Sequence, residues 1–398
     1  MSATLADALR QFGPAYLAKH LLSTAQAKAW RAIVACRTAA LGGERLDCDT
    51  CGHSHWQYHS CRHRCCPQCG TRAKEAWLQG RLTEVLNVPY AHLVFTLPHC
   101  LNALYGAHPL WVIDTLFTST AQTLAEFATN PKWMGTADGT PAFSLVLHTW
   151  TQDLRRHIHL HAVMACGVLD NTDQWATPIR KPDFLFPVQA LSKVFRGKFM
   201  AALATAHQSG SIEHDLQGQD AAWCERQKQL YKHNWVVYAK TPLGGPAQVL
   251  EYLSRYTHRT AISNERIRSV SDQDVTFSVR AADHGGKRLQ RLEGVEFVRR
   301  FMLHVLPTGV KRIRHYGVLA SSCKAKKLSA ARLALQMPAI NVHAIESAQA
   351  FMTRVAKIDV GMCPCCKVGR LVVCANLQGS TQLPAPACMA LTPIRGPP

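Results

Sequence analysis

Acidic residues are scarce in this chain. Only 26 Asp and Glu stand against 45 Lys and Arg, a formal net charge of +19 over 398 residues. That imbalance suits a polyanion, and nucleic acid is the default partner; the bland alternative is an ordinary basic protein. Long apolar runs are missing too. Hydrophobic residues make up 47% of the chain, enough for sizeable cores, yet no stretch reaches 18 unbroken apolar residues, so no membrane span is expected. The opening MSATLADALRQFG lacks a signal-peptide core, which implies an intracellular protein. A G-x-x-x-x-G-K-[ST] phosphate loop is absent, which argues against a nucleotide-driven motor. No internal repeat and no supported trio of carboxylates stands out.

Cysteine, by contrast, is plentiful and clustered. Of 16 cysteines, Cys48-x2-Cys51 and Cys66-x2-Cys69 form two knuckles separated by 14 residues. In a reducing cell such pairs read as metal ligands rather than disulfides. Four thiolates complete a closed, structural zinc site, here expected to be Cys48, Cys51, Cys66 and Cys69. Cys61, His63 and Cys65 lie between the knuckles and are open as substitutes for one ligand. Free thiols on loops are the plainer reading. Arg62, Arg64 and Arg72 beside the knuckles are placed to meet phosphates. A third knuckle, Cys363-x2-Cys366, has Cys374, Cys323 or Cys388 as available partners.

Periodicity gives the elements. Residues 1–40 read as helices, with Leu5, Leu9 and Phe12 at helical spacing, and 48–69 as irregular. Segments 90–98, 141–150, 158–169 and 234–240 read as strands, 266–280 as a hairpin, and 295–306 as a helix closed by Pro307. Residues 188–207 and 220–231 look helical and are expected to form an insertion rather than core. A helix opens near Ala247, and the proline-rich last twenty residues read as disordered.

Two constellations carry chemistry. In RRHIHLHAVMACG (155–167), His157, His159 and His161 alternate and so share one strand face, with Leu160, Ala162 and Met164 on the other. His157, beside Arg155 and Arg156, is expected at the strand entrance. His159 and His161 make a natural divalent-metal pair, against the alternative of a histidine-rich strand with satisfied hydrogen bonds. His148, 11 and 13 residues before them, can lie opposite the pair if the strands run antiparallel through a tight connection. Gln152 and Asp153 are the other candidates for a third ligand. In PAQVLEYLSRYTHRT, Tyr252 and Tyr256 are four apart and share a helix face, bordered by Gln248, Arg255 and Arg259. Two core tyrosines are the plain alternative. A phenol becomes a useful nucleophile when a metal and arginines polarise a phosphate in line with it.

H-L-H at 159–161 with Y-L-S-R-Y at 252–256 resembles the two-tyrosine HUH transposases of rolling-circle bacterial insertion sequences, the insertion-sequence-ninety-one group. SCRHRCCPQC (60–69), VFTLP (94–98), LHTWTQ (147–152), WVVYAKTPLGGP (235–246) and FMLHVLPTGVKRIRHYG (301–317) add to the likeness, which runs from about residue 40 to 320. It implies an α+β chain whose HUH nuclease domain has a central antiparallel sheet and a tyrosine-bearing helix, preceded by a helical and zinc-binding N-terminal module. The expected division is 1–85 for that module, 86–320 for the nuclease with a helical insertion at about 170–232, and 321–398 for a C-terminal helical and zinc-knuckle segment with a tail.

The resemblance further implies nicking of single-stranded or hairpin DNA at transposon ends through 5′-phosphotyrosine linkages, then transfer to target DNA. Carried over by position, Tyr252 and Tyr256 are the nucleophiles and His159 and His161 bind Mg2+ or Mn2+, with His148 assigned by analogy to conjugative relaxases. Arg255, Arg259, Arg62, Arg64, Lys311, Arg312 and Arg314 are assigned to DNA. Cys65 stands where the family usually has histidine before the C-P-x-C knuckle, so the zinc ligands stay open among Cys61, Cys65 and Cys66. The implied place is the bacterial cytoplasm, at the nucleoid. A plasmid replication initiator or relaxase with the same chemistry is the nearest alternative. A non-catalytic zinc-dependent regulator would leave the histidine strand and tyrosine pair unexplained.

Overall fold

Alternating side chains give one sheet two chemically different faces. The computed structural model describes residues 3–179, 185–212, 220–243, 248–249, 260–281, 285–338, 348–357 and 359–380. Its strands are β1 (Gly43–Cys48), β2 (Ser54–Tyr58), β3 (Tyr90–Thr96), β4 (Thr140–Trp150), β5 (Arg156–Leu169), β6 (Trp175–Ala176), β7 (Val237–Leu243), β8 (Ile267–Val270), β9 (Asp274–Arg280), β10 (Lys287–Glu293), β11 (Ile313–Gly317) and β12 (Leu371–Leu377). The central sheet runs β11-β4-β5-β3-β7, with β6 on the end of β5, and every pairing is antiparallel. Two further three-stranded sheets run β12-β1-β2 and β10-β9-β8. Mixed helix and antiparallel sheet is thus the fold class.

On the first face, Leu145 and Leu93 stand either side of Ala162, and Leu147 and Phe95 either side of Leu160. Helices Pro109–Ala128 and Val188–Gln208 pack on this face and complete the largest core. Phe195 meets Phe95 edge-on at 5.3 Å between ring centroids. Burying each such side chain is worth roughly 1.5–3 kcal/mol. The 188–207 stretch is therefore no peripheral insertion: Leu191, Phe195 and Phe199 are fully buried in the main core, in one cluster with Leu93 and Phe95 of β3 and against Val237 and Ala239 of β7.

The N-terminal helices start as their sequence directs. Thr4 with Asp7, and Ser23 with Gln26, form reciprocal capping boxes at helices Leu5–Leu17 and Thr24–Ala35. Their apolar faces do not close on one another alone. Leu5, Leu9 and Phe12 share a cluster with Phe277 of β9 and with Phe297 and Phe301 of helix Gly294–Met302. A division at residue 85 cuts through this shared core. At the far edge, Gly317 ends β11 with φ +60, and a Cβ there would lie 1.8 Å from the Pro141 carbonyl oxygen, so only glycine lets the strand turn so close to β4.

Candidate metal centre

The opposite face of the central sheet is apolar at one end, around Val163 and Ala165, and rich in histidine at the other. Antiparallel register sets His148 of β4 directly across from His159 of β5, while His161 is flanked by Val146 and Val94. His148, His159 and His161 are all buried, and one ring nitrogen from each lies within 4.8 Å of the others. Their ring centroids are 4.5 to 5.5 Å apart. Trp150 stacks on His148 at 4.8 Å.

Two of the rings are held through a nitrogen by a defined partner. His159 Nδ1 donates to the His157 carbonyl at 2.9 Å, leaving Nε2 with its lone pair free of that bond. His161 Nδ1 lies 2.9 Å from Nε2 of buried His92 on β3. Orientation of a ligand imidazole through its second nitrogen is the usual support for a metal site, and the donor set therefore fits a divalent ion. Burial holds the His159 imidazole down to about 4, with His157 beside it adding to the effect, so the ring is neutral and its lone pair available near pH 7. His157 stays outside the trio, its Nδ1 3.1 Å from His99 Nε2. The other two candidates for a third ligand are engaged elsewhere: Gln152 Oε1 accepts from the Arg280 N–H, and Asp153 pairs with Arg155. Tyr252, Tyr256, Arg255 and Arg259 lie outside the described residues. Val249, three positions before Tyr252, is buried in the cluster that contains Val163 and Ala165 of the histidine face.

The cysteines divide differently from the expected set. Cys66 and Cys69 join Cys36 and Cys61, whereas Cys48 and Cys51 join Cys363 and Cys366. The reason is the β1–β2 hairpin. Cys48 ends β1 and Cys51 lies in the hairpin's turn, while Cys61 follows its open end, where Arg37 N–H donates to the His59 carbonyl. At about 3.3 Å per residue the two ends are roughly 16 Å apart, too far for one ion. Cys65 is outside both groups; its own N–H meets His63 Nδ1. Cys36, at the end of helix Thr24–Ala35, was not foreseen, having no CxxC neighbour to mark it. Cys323 meets the Gly317 carbonyl, Cys374 is exposed on β12, and Cys388 lies outside the described residues. In the first group Cys61 and Cys69 sulfurs are 3.7 Å apart, close to the edge, about 3.8 Å, of a zinc tetrahedron with 2.3 Å bonds.

A family profile described as "Putative transposase" matches residues 143–327, and one described as "Transposase zinc-binding domain" matches 8–97. "Putative transposase y4qJ" of Sinorhizobium fredii (strain NBRC 101917 / NGR234) is 39% identical over 391 residues, covering 96% of this chain and 97% of that protein. The chain belongs to the insertion-sequence-ninety-one group of rolling-circle transposases. "Transposase for insertion sequence element IS801" of Pseudomonas savastanoi pv. phaseolicola is 25% identical over 362 residues, covering 88% of this chain and 83% of that one. No solved structure matches. No helix among the described residues is long and apolar enough to cross a membrane.

Several cations of this transposase that were assigned to DNA are tied to the protein itself. Arg64 donates to the carbonyls of Leu306, Pro307 and Val310. Arg312 donates to the Leu147 carbonyl at 3.2 Å and lies over the Trp150 ring. Arg314 pairs with Asp114 and covers Phe117. Arg62 and Lys311 are exposed. A different basic feature emerges at the start of β5: a cleft of about 330 Å³ lined by Arg155, Arg156, Arg299 and Arg300 with Asn102 and Leu303. Glu296 and Asp153 offset part of that charge. Two histidines escaped sequence reading. His92 shares its face of β3 with Tyr90, Val94 and Thr96 and comes to the histidine side through its register with Val163. His304 donates through Nε2 to the Leu154 carbonyl and meets Thr149 Oγ1 at Nδ1, pinning the β4–β5 turn that sets the register of the trio. Leu154 at the centre of that turn has φ +62.

Proposed function

We propose that this transposase is an HUH nuclease that nicks one DNA strand at an element end and carries the 5′ side as a phosphotyrosine. The observation that carries the reading is the buried trio His148, His159 and His161, aligned across two paired strands with two of its rings held from behind. These three side chains would hold Mg2+ or Mn2+, which when bound supplies Lewis acidity to a phosphoryl oxygen. His157 and His92 orient the ligand rings. Tyr252 or Tyr256 gives up its phenolic proton and its oxygen attacks phosphorus. The bond from phosphorus to the 3′ oxygen breaks, and that oxygen takes a proton to leave a free 3′-hydroxyl. The linkage keeps the free energy of the broken phosphodiester, so rejoining to a target strand needs no nucleotide, in keeping with the missing phosphate loop. With two tyrosines four residues apart, one holds a 5′ end while the other attacks the next site. The substrate is single-stranded or hairpin DNA, because a phosphate entering a buried histidine face must first leave its duplex. The Cys36, Cys61, Cys66 and Cys69 group is structural, a closed zinc site supporting the N-terminal helices.

The test is a denaturing gel of the protein with end-derived single strands in Mg2+ or Mn2+. A covalent adduct that maps to 252–256 and vanishes in the Tyr252→Phe/Tyr256→Phe variant is expected. A full-strength adduct in that double variant overturns the tyrosine assignment.

A further inference from the structure

We infer that Cys48, Cys51, Cys363 and Cys366 hold a second zinc ion, which fastens the C-terminal segment 359–380 to the N-terminal module. The matched zinc-binding region ends at residue 97, so this site needs ligands from far beyond it. Three observations converge.

Geometry comes first. Cys48 and Cys366, 318 residues apart in sequence, have sulfurs 3.7 Å apart, and so do Cys51 and Cys363. Both distances match the roughly 3.8 Å edge of a tetrathiolate zinc tetrahedron, and no disulfide joins them. Backbone N–H groups already point at the sulfurs: those of Thr50 and Cys51 at Cys48, and that of Gly369 at Cys366. Such donors stabilise thiolates rather than thiols.

Second, the two knuckles are built around each other. The Asp49 N–H donates to the Arg370 carbonyl, and the Arg370 N–H returns to Asp49 Oδ1 at 2.8 Å. Gly369 passes so close that a Cβ there would lie 2.5 Å from Cys48 Sγ and 2.6 Å from Asp49 Oδ1. Immediately beyond, β12 pairs with β1, from Cys48 opposite Leu371 to Gly43 opposite Leu377.

Third, the β12-β1-β2 sheet has almost nothing apolar to hold it. None of its residues belongs to the three hydrophobic clusters among the described residues. Val372, Val373 and Trp56 are 51%, 49% and 41% exposed. Small sheets without a core need a staple, commonly a metal. On binding, each thiol releases its proton and the ion takes four thiolates. The N-terminal module and the 359–380 segment are thereby joined, and strands β3 to β11 lie in the sequence between them.

Zinc analysis of the purified full-length protein tests this. About two ions per chain are expected in the wild type and about one in Cys363→Ser/Cys366→Ser. That variant, and wild type stripped by chelator, should also release a C-terminal fragment on limited proteolysis, while β12 stays protected in the loaded wild type. Should the variant fail to fold, Co2+ substitution of the wild type decides: thiolate-to-cobalt absorbance for two tetrathiolate sites supports the inference. One zinc in the wild type, unchanged zinc in the folded double variant, or cobalt absorbance for a single site would overturn it. None of these readouts depends on strand cleavage.

Discussion

Replacing His92 with leucine isolates the support behind the metal centre from the centre itself. His92 is 1% exposed and its Nε2 lies 2.9 Å from His161 Nδ1, so with His161 Nε2 turned to the ion, the Nδ1 proton is donated to His92. Leucine fills the space but accepts nothing. The His161 N–H is then buried without that partner, a cost of about 1–3 kcal/mol, and the ring is free to rotate away from the ion. Loss of such an outer partner elsewhere costs about 10–100-fold in metal affinity, or roughly 1.4–2.7 kcal/mol, the same range reached from the other side. Mn2+ titration of the DNA-free protein should therefore show dissociation constants raised about 10–100-fold, with cleavage recovering largely at saturating Mn2+. His92→Gln, whose side-chain oxygen can accept from His161, should restore most of the affinity. If the leucine variant binds Mn2+ as tightly as wild type, the argument for His92 is refuted. If affinity falls equally in both variants, packing rather than the hydrogen bond is responsible.

His159→Ala or His161→Ala should abolish metal-dependent cleavage while leaving DNA binding, measured by filter retention, near wild type, whereas His148→Ala should be impaired less; full nicking by a His159→Ala/His161→Ala variant counts against the site. Burial holds His304 down to about 4, below its unfolded value near 6.5, so its contribution is intact above about pH 6.5 and is lost as pH falls toward 4. That amounts to roughly 3 kcal/mol at most. Urea midpoints should fall less steeply with acid in His304→Gln than in wild type, and identical slopes would contradict this. Arg155→Gln with Arg156→Gln should weaken binding of all single strands alike and lower the salt dependence by about one to two phosphate contacts; an unchanged slope would remove the cleft from the DNA path. Cys36→Ser with Cys69→Ser should unfold the N-terminal helices, since a closed zinc site contributes on the order of 10 kcal/mol in small modules, whereas Cys65→Ser should keep its zinc.

Local spacing alone determined a good deal of this protein. Because strand side chains alternate, His159 and His161 had to share a face opposite Leu160 and Ala162, whatever the rest of the chain did. The same kind of local rule marked the capped N-terminal helices, the 274–280 strand of the hairpin and the CxxC knuckles as ligands. Tyr252 and Tyr256 stand four apart in sequence, a spacing that on a helix gives one face, and the motifs together carried the family. What spacing could not supply was pairing across distance. Only strand register brought His148 opposite His159 and laid His92 behind His161. Only the length of the β1–β2 hairpin separated two knuckles that look adjacent in sequence, sending one to Cys36 and Cys61 and the other to Cys363 and Cys366. Arg64, Arg312 and Arg314 likewise read as free cations until packing supplied carbonyls, rings and a carboxylate for them. Covalent geometry fixes which face a side chain takes within its own element; which other element meets that face depends on burial and hydrogen bonding summed over the whole chain.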